Sequence, residues 1–100
     1  MVIQIKDHIE RCYSNGDGQI IYNIIEDYIK NNVTVIVSFQ RIDSVTSSFV
    51  NSAFIALLDH FDFGHIRSYL RFADSTSQIN QMIKKRFDFE VNERRNLMLV

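Results

Sequence analysis

The sequence contains no tryptophan and no proline, and it has only three glycines and a single cysteine. The lone Cys12 cannot form a disulfide within the chain, so a reducing compartment is the natural expectation. The longest wholly apolar run, residues 53–58, is far shorter than the ~20 residues of a membrane-spanning helix. Charged residues are spread through the first eleven positions, which lack the apolar stretch of a signal peptide. We therefore expect a cytoplasmic protein with no membrane segment.

The charges of the chain are balanced, with 11 basic and 12 acidic residues and a formal net charge of −1. Nucleic-acid-binding domains usually carry a basic stripe, and proteins that bind anionic membranes carry a polybasic cluster. The only basic clusters here, residues 84–86 and 94–95, have acidic residues close by in the sequence. We expect a solvated face there, with weak nucleic-acid contact as the alternative.

The hydrophobic content is 46%, and the chain of 100 residues includes eight phenylalanines. This is enough to form a packed core, and the length is typical of one domain. No repeat, linker or low-complexity tract divides the sequence. We therefore expect a single domain that covers residues 1–100.

The apolar pattern predicts strands in alternation with helices. Strands are predicted at residues 2–6, 33–39 and 66–72. Helices are predicted at residues 19–30, at residues 47–61, and from the polar cluster 74–77 to Phe87. The alternation of Phe89 with Val91, and of Leu97 with Leu99, predicts a terminal hairpin or an edge strand. The expected fold is α/β, with a small mixed sheet of about four strands, at least partly parallel, and about three helices.

Two polar segments are expected to bound the first helix. Asn15-Gly16-Asp17-Gly18 is a strong turn signal, because glycine adopts positive φ without a steric penalty. Asp17 could cap the helix that follows, and Asn31-Asn32 should end it. The segment lacks the alternating oxygen ligands of a calcium loop, so a turn is the expected role.

No motif for catalysis or cofactor binding is present in the sequence. There is no glycine-rich phosphate loop, nucleophile elbow or zinc-protease motif. The histidines His60 and His65 stand near Asp59 and Asp62, but they flank Gly64 and have no accompanying cysteine. Metal ligation is therefore not expected, and the histidines are expected near a helix C-terminus. We expect no enzyme activity, no cofactor and no metal.

Functional groups in α/β folds usually lie where strands end and helices begin, which here indicates residues 42–48. Ser and Thr are preferred helix N-caps, so Thr46-Ser47-Ser48 has a purely structural explanation. The alternative is that a serine here accepts a phosphate or contacts a partner. A phosphate would add about two negative charges and would repel an acidic partner surface.

The segment Ile42-Asp43-Ser44-Val45-Thr46-Ser47-Ser48-Phe49 follows an apolar strand and precedes an amphipathic helix. In this arrangement the chain resembles a STAS-like family of unknown function, over roughly residues 3–87. The Gly-Asp-Gly turn and Arg71-Phe72 also stand where that family has them. Family members usually carry an acidic residue before the strand's Phe, where this chain has Ser38. The resemblance implies a STAS-like fold of bacterial or phage origin.

More distantly, the same run is similar to the bacterial anti-sigma-factor antagonists, which have Asp-Ser-Ser-Gly between strand and helix. Thr46-Ser47-Ser48-Phe49 falls on that tetrapeptide, with Thr in place of Asp and Phe in place of Gly. Ser47 falls on the serine that a GHKL-type kinase phosphorylates. The resemblance implies a non-enzymatic regulatory domain whose protein partner could be such an ATPase or kinase. Ser47 is the phosphoacceptor candidate, and the candidate partner-binding residues are Asp43, Thr46, Ser47, Ser48 and Phe49.

The apolar C-terminal segment Leu97-Met98-Leu99-Val100 supports a second hypothesis. The apolar side chains of such a segment are expected to be buried against another surface. The segment could complete the sheet of this domain or add to the sheet edge of a neighbour. The alternative function is therefore a structural or assembly module that acts as a homo-oligomer.

Overall fold

A computed structural model describes residues 1–98, in which three strands and four α-helices follow one another. The strands are β1 (Val2–Gln4), β2 (Val35–Ser38) and β3 (Leu70–Ala73). The helices are α1 (Asn15–Lys30), α2 (Ser47–Ala53), α3 (Phe63–Tyr69) and α4 (Ser77–Met98). Single 3-10 segments follow β1 at Ile5–Asp7 and α2 at Ile55–Asp59. No helix within the described part of the chain has the length and apolarity needed to cross a membrane.

The sheet is parallel throughout and has the order β1-β2-β3. Ile3 is paired with Val37, which is paired with Phe72. The expected α/β fold with parallel pairing is therefore confirmed. Residues 1–98 contain three strands and four α-helices, where about four strands and about three helices were expected, and the sheet is parallel and not mixed. Phe89 and Val91 lie within α4, and so does Leu97. The predicted end of the terminal strand, at Leu99 and Val100, lies outside the described residues.

One face of the sheet is covered and the other is open. Ile3, Val35 and Val37 point into the core and are almost fully buried. On the opposite face Ile36 is paired with Val2 on one side and Arg71 on the other, and both of these residues are exposed. Parallel sheets usually bury both faces, so this arrangement is uncommon for parallel strands.

Phenylalanines from three parts of the chain form the centre of the core. The ring of Phe54 lies edge-on to Phe72 at 5.1 Å, to Phe49 at 6.0 Å and to Phe39 at 6.3 Å between centroids. Edge-to-face pairs at these distances are favourable beyond the area that they bury. These pairs connect Phe39, which follows β2, and Phe72 of β3 with Phe54 at the end of α2. The core therefore fixes α2 relative to the sheet.

The first helix begins earlier than the sequence suggested. Ser14 is the N-cap, and its Oγ accepts a hydrogen bond from the Asp17 backbone at 3.1 Å. The expected turn at Asn15-Gly16-Asp17-Gly18 is instead the first turn of α1, and no glycine has a positive φ. A Cβ on Gly18 would lie 2.7 Å from the Phe49 carbonyl oxygen. Gly18 is therefore needed for the close approach of α1 and α2.

The predicted end of α1 is confirmed. Asn31 is the C-cap, and its side-chain amide donates to the Asp27 carbonyl at 2.7 Å. Asn32 follows with a φ of 59°, the left-handed conformation that asparagine tolerates better than most residues. The chain then turns into β2.

Two helix boundaries differ from the prediction. The helix predicted at residues 47–61 is instead the short helix α2 followed by a 3-10 segment that ends at Asp59, with the break at Phe54. Residues 66–69, which were predicted to begin a strand, are the end of α3, and β3 starts only at Leu70. Asp62 is the N-cap of α3 and accepts from the His65 backbone at 2.7 Å.

Candidate functional site

The segment 42–48 lies at the carboxyl edge of the sheet, where the sequence placed the candidate site. Its backbone and side chains contact the segments that follow β1 and β3. The Thr46 N–H donates to the Cys12 carbonyl at 3.1 Å, and its hydroxyl donates to the Tyr13 carbonyl at 2.8 Å. From the other side, the Thr76 hydroxyl donates to the Asp43 carbonyl at 2.9 Å. Bonds on both sides thus hold the segment in place.

Thr46 is the N-cap of α2, as the structural explanation predicted. Its Oγ1 accepts a hydrogen bond from the Phe49 N–H at 3.2 Å while it donates to the Tyr13 carbonyl. A capping hydroxyl of this kind satisfies one of the unpaired N–H groups at a helix start. The cap role therefore belongs to Thr46, and Ser47 and Ser48 are not needed for it.

The side chains of Ser47 and Ser48 are both exposed. Neither hydroxyl forms a hydrogen bond with another residue of the described chain. Because Thr46 fixes the backbone beside them, the two hydroxyls are presented on a defined surface. Both hydroxyls are therefore accessible to solvent.

Phe49 does not share that surface. Its side chain is completely buried and packs edge-on against Phe54. The expectation that Phe49 contacts a partner is therefore corrected, because a side chain in the core cannot meet a docking protein. The large residue at this position serves to anchor α2 instead.

Asp43 is exposed and lies at a cleft of about 180 Å³ that Arg41 and Lys6 also line. Arg41 has a φ of 68°, an uncommon conformation for a residue with a long side chain. This turn brings Asp43 to the surface ahead of the helix start. Asp43 is thus accessible on the same edge as Ser47.

Helix α4 packs beside the exposed serines. The side-chain amide of Gln78 accepts from the Val45 N–H at 3.0 Å and donates to the Val45 carbonyl at 3.1 Å. Further along α4, Arg86 Nε donates to Asn51 Oδ1 of α2 at 2.8 Å. Between these two attachments a groove of about 440 Å³ opens, and Ser47 lies on its rim.

Two cations of α4 line this groove, Lys85 and Arg86. The Arg86 guanidinium contacts the Glu90 carboxylate at 3.1 Å and lies over the Phe89 ring. Lys85 is exposed and forms no ion pair within residues 1–98. The sequence indicated a solvated face for residues 84–86, with weak nucleic-acid contact as the alternative. The sequence could have predicted a cationic face on this helix. Residues 82, 85 and 86 share the helix face next to the one that carries the buried Ile79 and Ile83.

Ser38 is buried at the end of β2, with 3% of its surface exposed. Its Oγ donates to the Asp74 carboxylate at 2.7 Å and accepts from the Gln40 N–H at 3.3 Å. The turn that follows β3 thus places a carboxylate beside the end of β2. The sequence gives no direct signal for this pair.

Cys12, His65 and Asp59 each have an environment that explains their position without a catalytic or metal-binding role. Burial raises the pKa of the Cys12 thiol to about 12, with a smaller contribution from the Asp17 charge. Cys12 is thus a neutral thiol at physiological pH and a poor nucleophile. The His65 ring nitrogen lies 2.9 Å from the Ile29 carbonyl, and its ring stacks on Phe61. Asp59, which stands near the histidines in sequence, forms an ion pair with Arg94 at 2.8 Å.

The parallel sheet and the helices that pack on it form a small α/β domain. The family model described as "STAS-like domain of unknown function (DUF4325)" matches residues 17–80, more than half of the chain. The chain therefore belongs to this family. The match begins in α1 and ends in the first turn of α4, so β1 and most of α4 lie outside it. Comparison with curated proteins and with solved structures finds no match.

Proposed function

We propose that the protein is a non-enzymatic regulatory domain that binds a protein partner through the surface around the start of α2. The supporting observation is the exposure of Ser47 and Ser48 on a backbone that Thr46 holds rigidly. A surface fixed before binding loses little conformational entropy when a partner docks on it. Asp43 on the same edge, and Lys85 in the groove, add charged groups that could select the partner.

By resemblance, the first partner to test is a GHKL-type ATPase or kinase, with Ser47 as its target. In that reaction the γ-phosphoryl group of ATP passes to Ser47 Oγ, with release of ADP and of the hydroxyl proton. The exposed hydroxyl of Ser47 supports the proposal. Thr46 departs from the aspartate of the antagonists, and here it already has the capping role. The domain itself needs no catalytic group for this function.

Binding tests the proposal directly. The partner to be tested is any GHKL-type ATPase that is found encoded beside this gene. Affinity is measured by calorimetry with the wild type and two charge-matched variants. Ser47→Arg places a bulky side chain on the proposed surface and should weaken binding at least tenfold. Gln19→Arg places the same side chain on α1 as a control, and it should leave the affinity unchanged. Absence of binding by the wild type, together with absence of Ser47 modification, would exclude this function.

The open face of the sheet supports a second candidate, an assembly module. Val2 is 60% exposed and lies beside Ile36 on the uncovered face. No strand among residues 1–98 pairs with the outer edges of β1 and β3, so a second copy could add to the sheet there. Sedimentation of the wild type and of a chain that ends at Val91 shows whether the protein forms oligomers and whether the residues after Val91 are needed for them. A monomer in both cases would remove the assembly hypothesis.

A further inference from the structure

We propose that the groove between α2 and α4 holds a phosphate carried by Ser47, with Lys85 and Arg86 as its counter-ions. This inference rests on the proposed function, because it takes Ser47 as the modified residue. It adds a regulatory device within the chain itself. The basic side chains of α4 would bind the phosphate and so distinguish the modified domain from the unmodified one.

The positions of the three residues support the proposal. Ser47, Lys85 and Arg86 line one groove of about 440 Å³. Asn51 stands four residues after Ser47, so their Cβ atoms lie about 5–6 Å apart on the same face of the helix. Arg86 Nε is bonded to Asn51 Oδ1 at 2.8 Å. The guanidinium is thus held one helical turn from the serine hydroxyl.

The charges of the groove favour an anion. The lining residues other than Ser47, Lys85 and Arg86 are uncharged, namely Gln78, Gln81 and Met82. Glu90 is the carboxylate that faces the groove's cations, and its ion pair engages Arg86 at 3.1 Å. The Lys85 ammonium has no carboxylate partner among residues 1–98 and can turn toward a phosphate. Hydrogen bonds from a cation to a phosphate are among the strongest that a protein surface forms.

The groove is also built before any modification takes place. Gln78 is bonded twice to the Val45 backbone, and Thr76 is bonded to the Asp43 carbonyl. Together with the Arg86–Asn51 bond, these contacts fix α4 against the segment that leads to Ser47. The phosphate would therefore meet an Arg86 guanidinium that is already in place, and only the Lys85 side chain would have to be ordered on binding.

The test places phosphoserine at position 47 of the full chain by genetic-code expansion, without any kinase. The titration of the phosphate is followed by 31P NMR in this protein and in two further variants that carry Lys85→Gln or Lys84→Gln. Lys84 is a matched control, because it is the neighbouring lysine of α4, pairs with Asp88 at 2.8 Å and does not line the groove. Phosphoserine at position 48 is a second control, because Ser48 does not line the groove.

The groove cations should lower the second pKa of the phosphate on Ser47 below its usual value of about 6. Lys85→Gln should raise the titration midpoint by roughly half a pH unit or more, whereas Lys84→Gln should leave it nearly unchanged. Phosphoserine 48 should not respond to Lys85→Gln. Equal midpoints in the two lysine variants, or unfolding of the protein by phosphoserine 47, would overturn the proposal.

Failure of the groove to bind the phosphate is distinguishable from failure of the proposed function. The phosphoserine is incorporated during translation, so the groove is tested even if no kinase modifies Ser47. Conversely, a partner that binds the α2 surface would still do so if Lys85 had no effect on the phosphate.

Discussion

The side-chain amide of Gln78 forms both of its hydrogen bonds with the backbone of a single residue, Val45, at 3.0 and 3.1 Å. These two hydrogen bonds resemble those between neighbouring strands, although one partner is a side chain. It joins the first turn of α4 to the residue just before the cap of α2. The start of α2 is therefore held by the long C-terminal helix as well as by the core.

This contact predicts that Gln78→Glu destabilises the protein. Glutamate keeps an acceptor for the Val45 N–H, but it loses the donor and faces the Val45 carbonyl with a negative charge. The free energy of unfolding, measured with urea, should fall by about 1–2 kcal/mol. Gln81→Glu makes the same change one turn away at a residue without such bonds, and it should cost less than about 0.5 kcal/mol. Equal losses in both variants would contradict the role of Gln78.

The two glycines of α1 should respond in opposite ways to alanine. A Cβ on Gly18 would lie 2.7 Å from both the Phe49 carbonyl oxygen and the Ser52 Cβ, so Gly18→Ala must push α1 and α2 apart. We expect a loss of about 1–3 kcal/mol in unfolding free energy. A Cβ on Gly16 would meet Ser14 Oγ at an ordinary contact distance of 3.8 Å, so Gly16→Ala should be neutral or stabilising. Thermal unfolding of the two variants gives the comparison.

The cap of α2 depends on the Thr46 hydroxyl. Thr46→Val keeps the shape of the side chain but removes the bonds to the Phe49 N–H and the Tyr13 carbonyl. The expected cost is about 1–2 kcal/mol in denaturant unfolding. Thr46→Ser keeps the hydroxyl and should retain most of the stability. If Ser is as damaging as Val, the methyl group rather than the hydroxyl stabilises this position.

Cys12 should be unreactive while the protein is folded. Because burial raises the pKa of the thiol from 9.0 to about 12, almost no thiolate forms at pH 8, and a disulfide reagent should react only after unfolding. Between pH 9 and 12 the unfolded thiol loses its proton while the native thiol keeps it. This group therefore makes unfolding easier as the pH rises through that range. Cys12→Ala should show a weaker decline of stability with pH, and an unchanged decline would contradict this account.

The strand β2 and the helix α1 could be predicted from the sequence because their signals are local. The β-branched run that contains Val35 and Val37 favours a buried strand, and Asn31-Asn32 ends the helix before it. The placement of residues 42–48 at the sheet edge followed from strand–helix alternation alone. These features depend on neighbouring residues and on general rules of α/β topology.

The errors arise where tertiary contacts decide between two local patterns. Phe89 and Val91 alternate as in a strand, yet Ile79, Ile83, Phe87 and Val91 also recur every four residues, and burial of the first three favours the helix. The glycines near residue 17 indicated a turn, whereas the close approach of α2 requires a small residue inside a helix. The groove could not be foreseen, because Arg86 meets Asn51 only after α4 has packed against α2.

The most direct test of the central claim is mass spectrometry of the domain after incubation with a co-encoded GHKL-type ATPase and ATP. Wild type, Ser47→Ala and Ser48→Ala are compared, since both serines are exposed at the same helix start. We predict one added phosphate on the wild type and on Ser48→Ala, and none on Ser47→Ala. A phosphate that persists in Ser47→Ala, or a wild type that neither binds the ATPase nor gains a phosphate, would contradict the assignment of this surface.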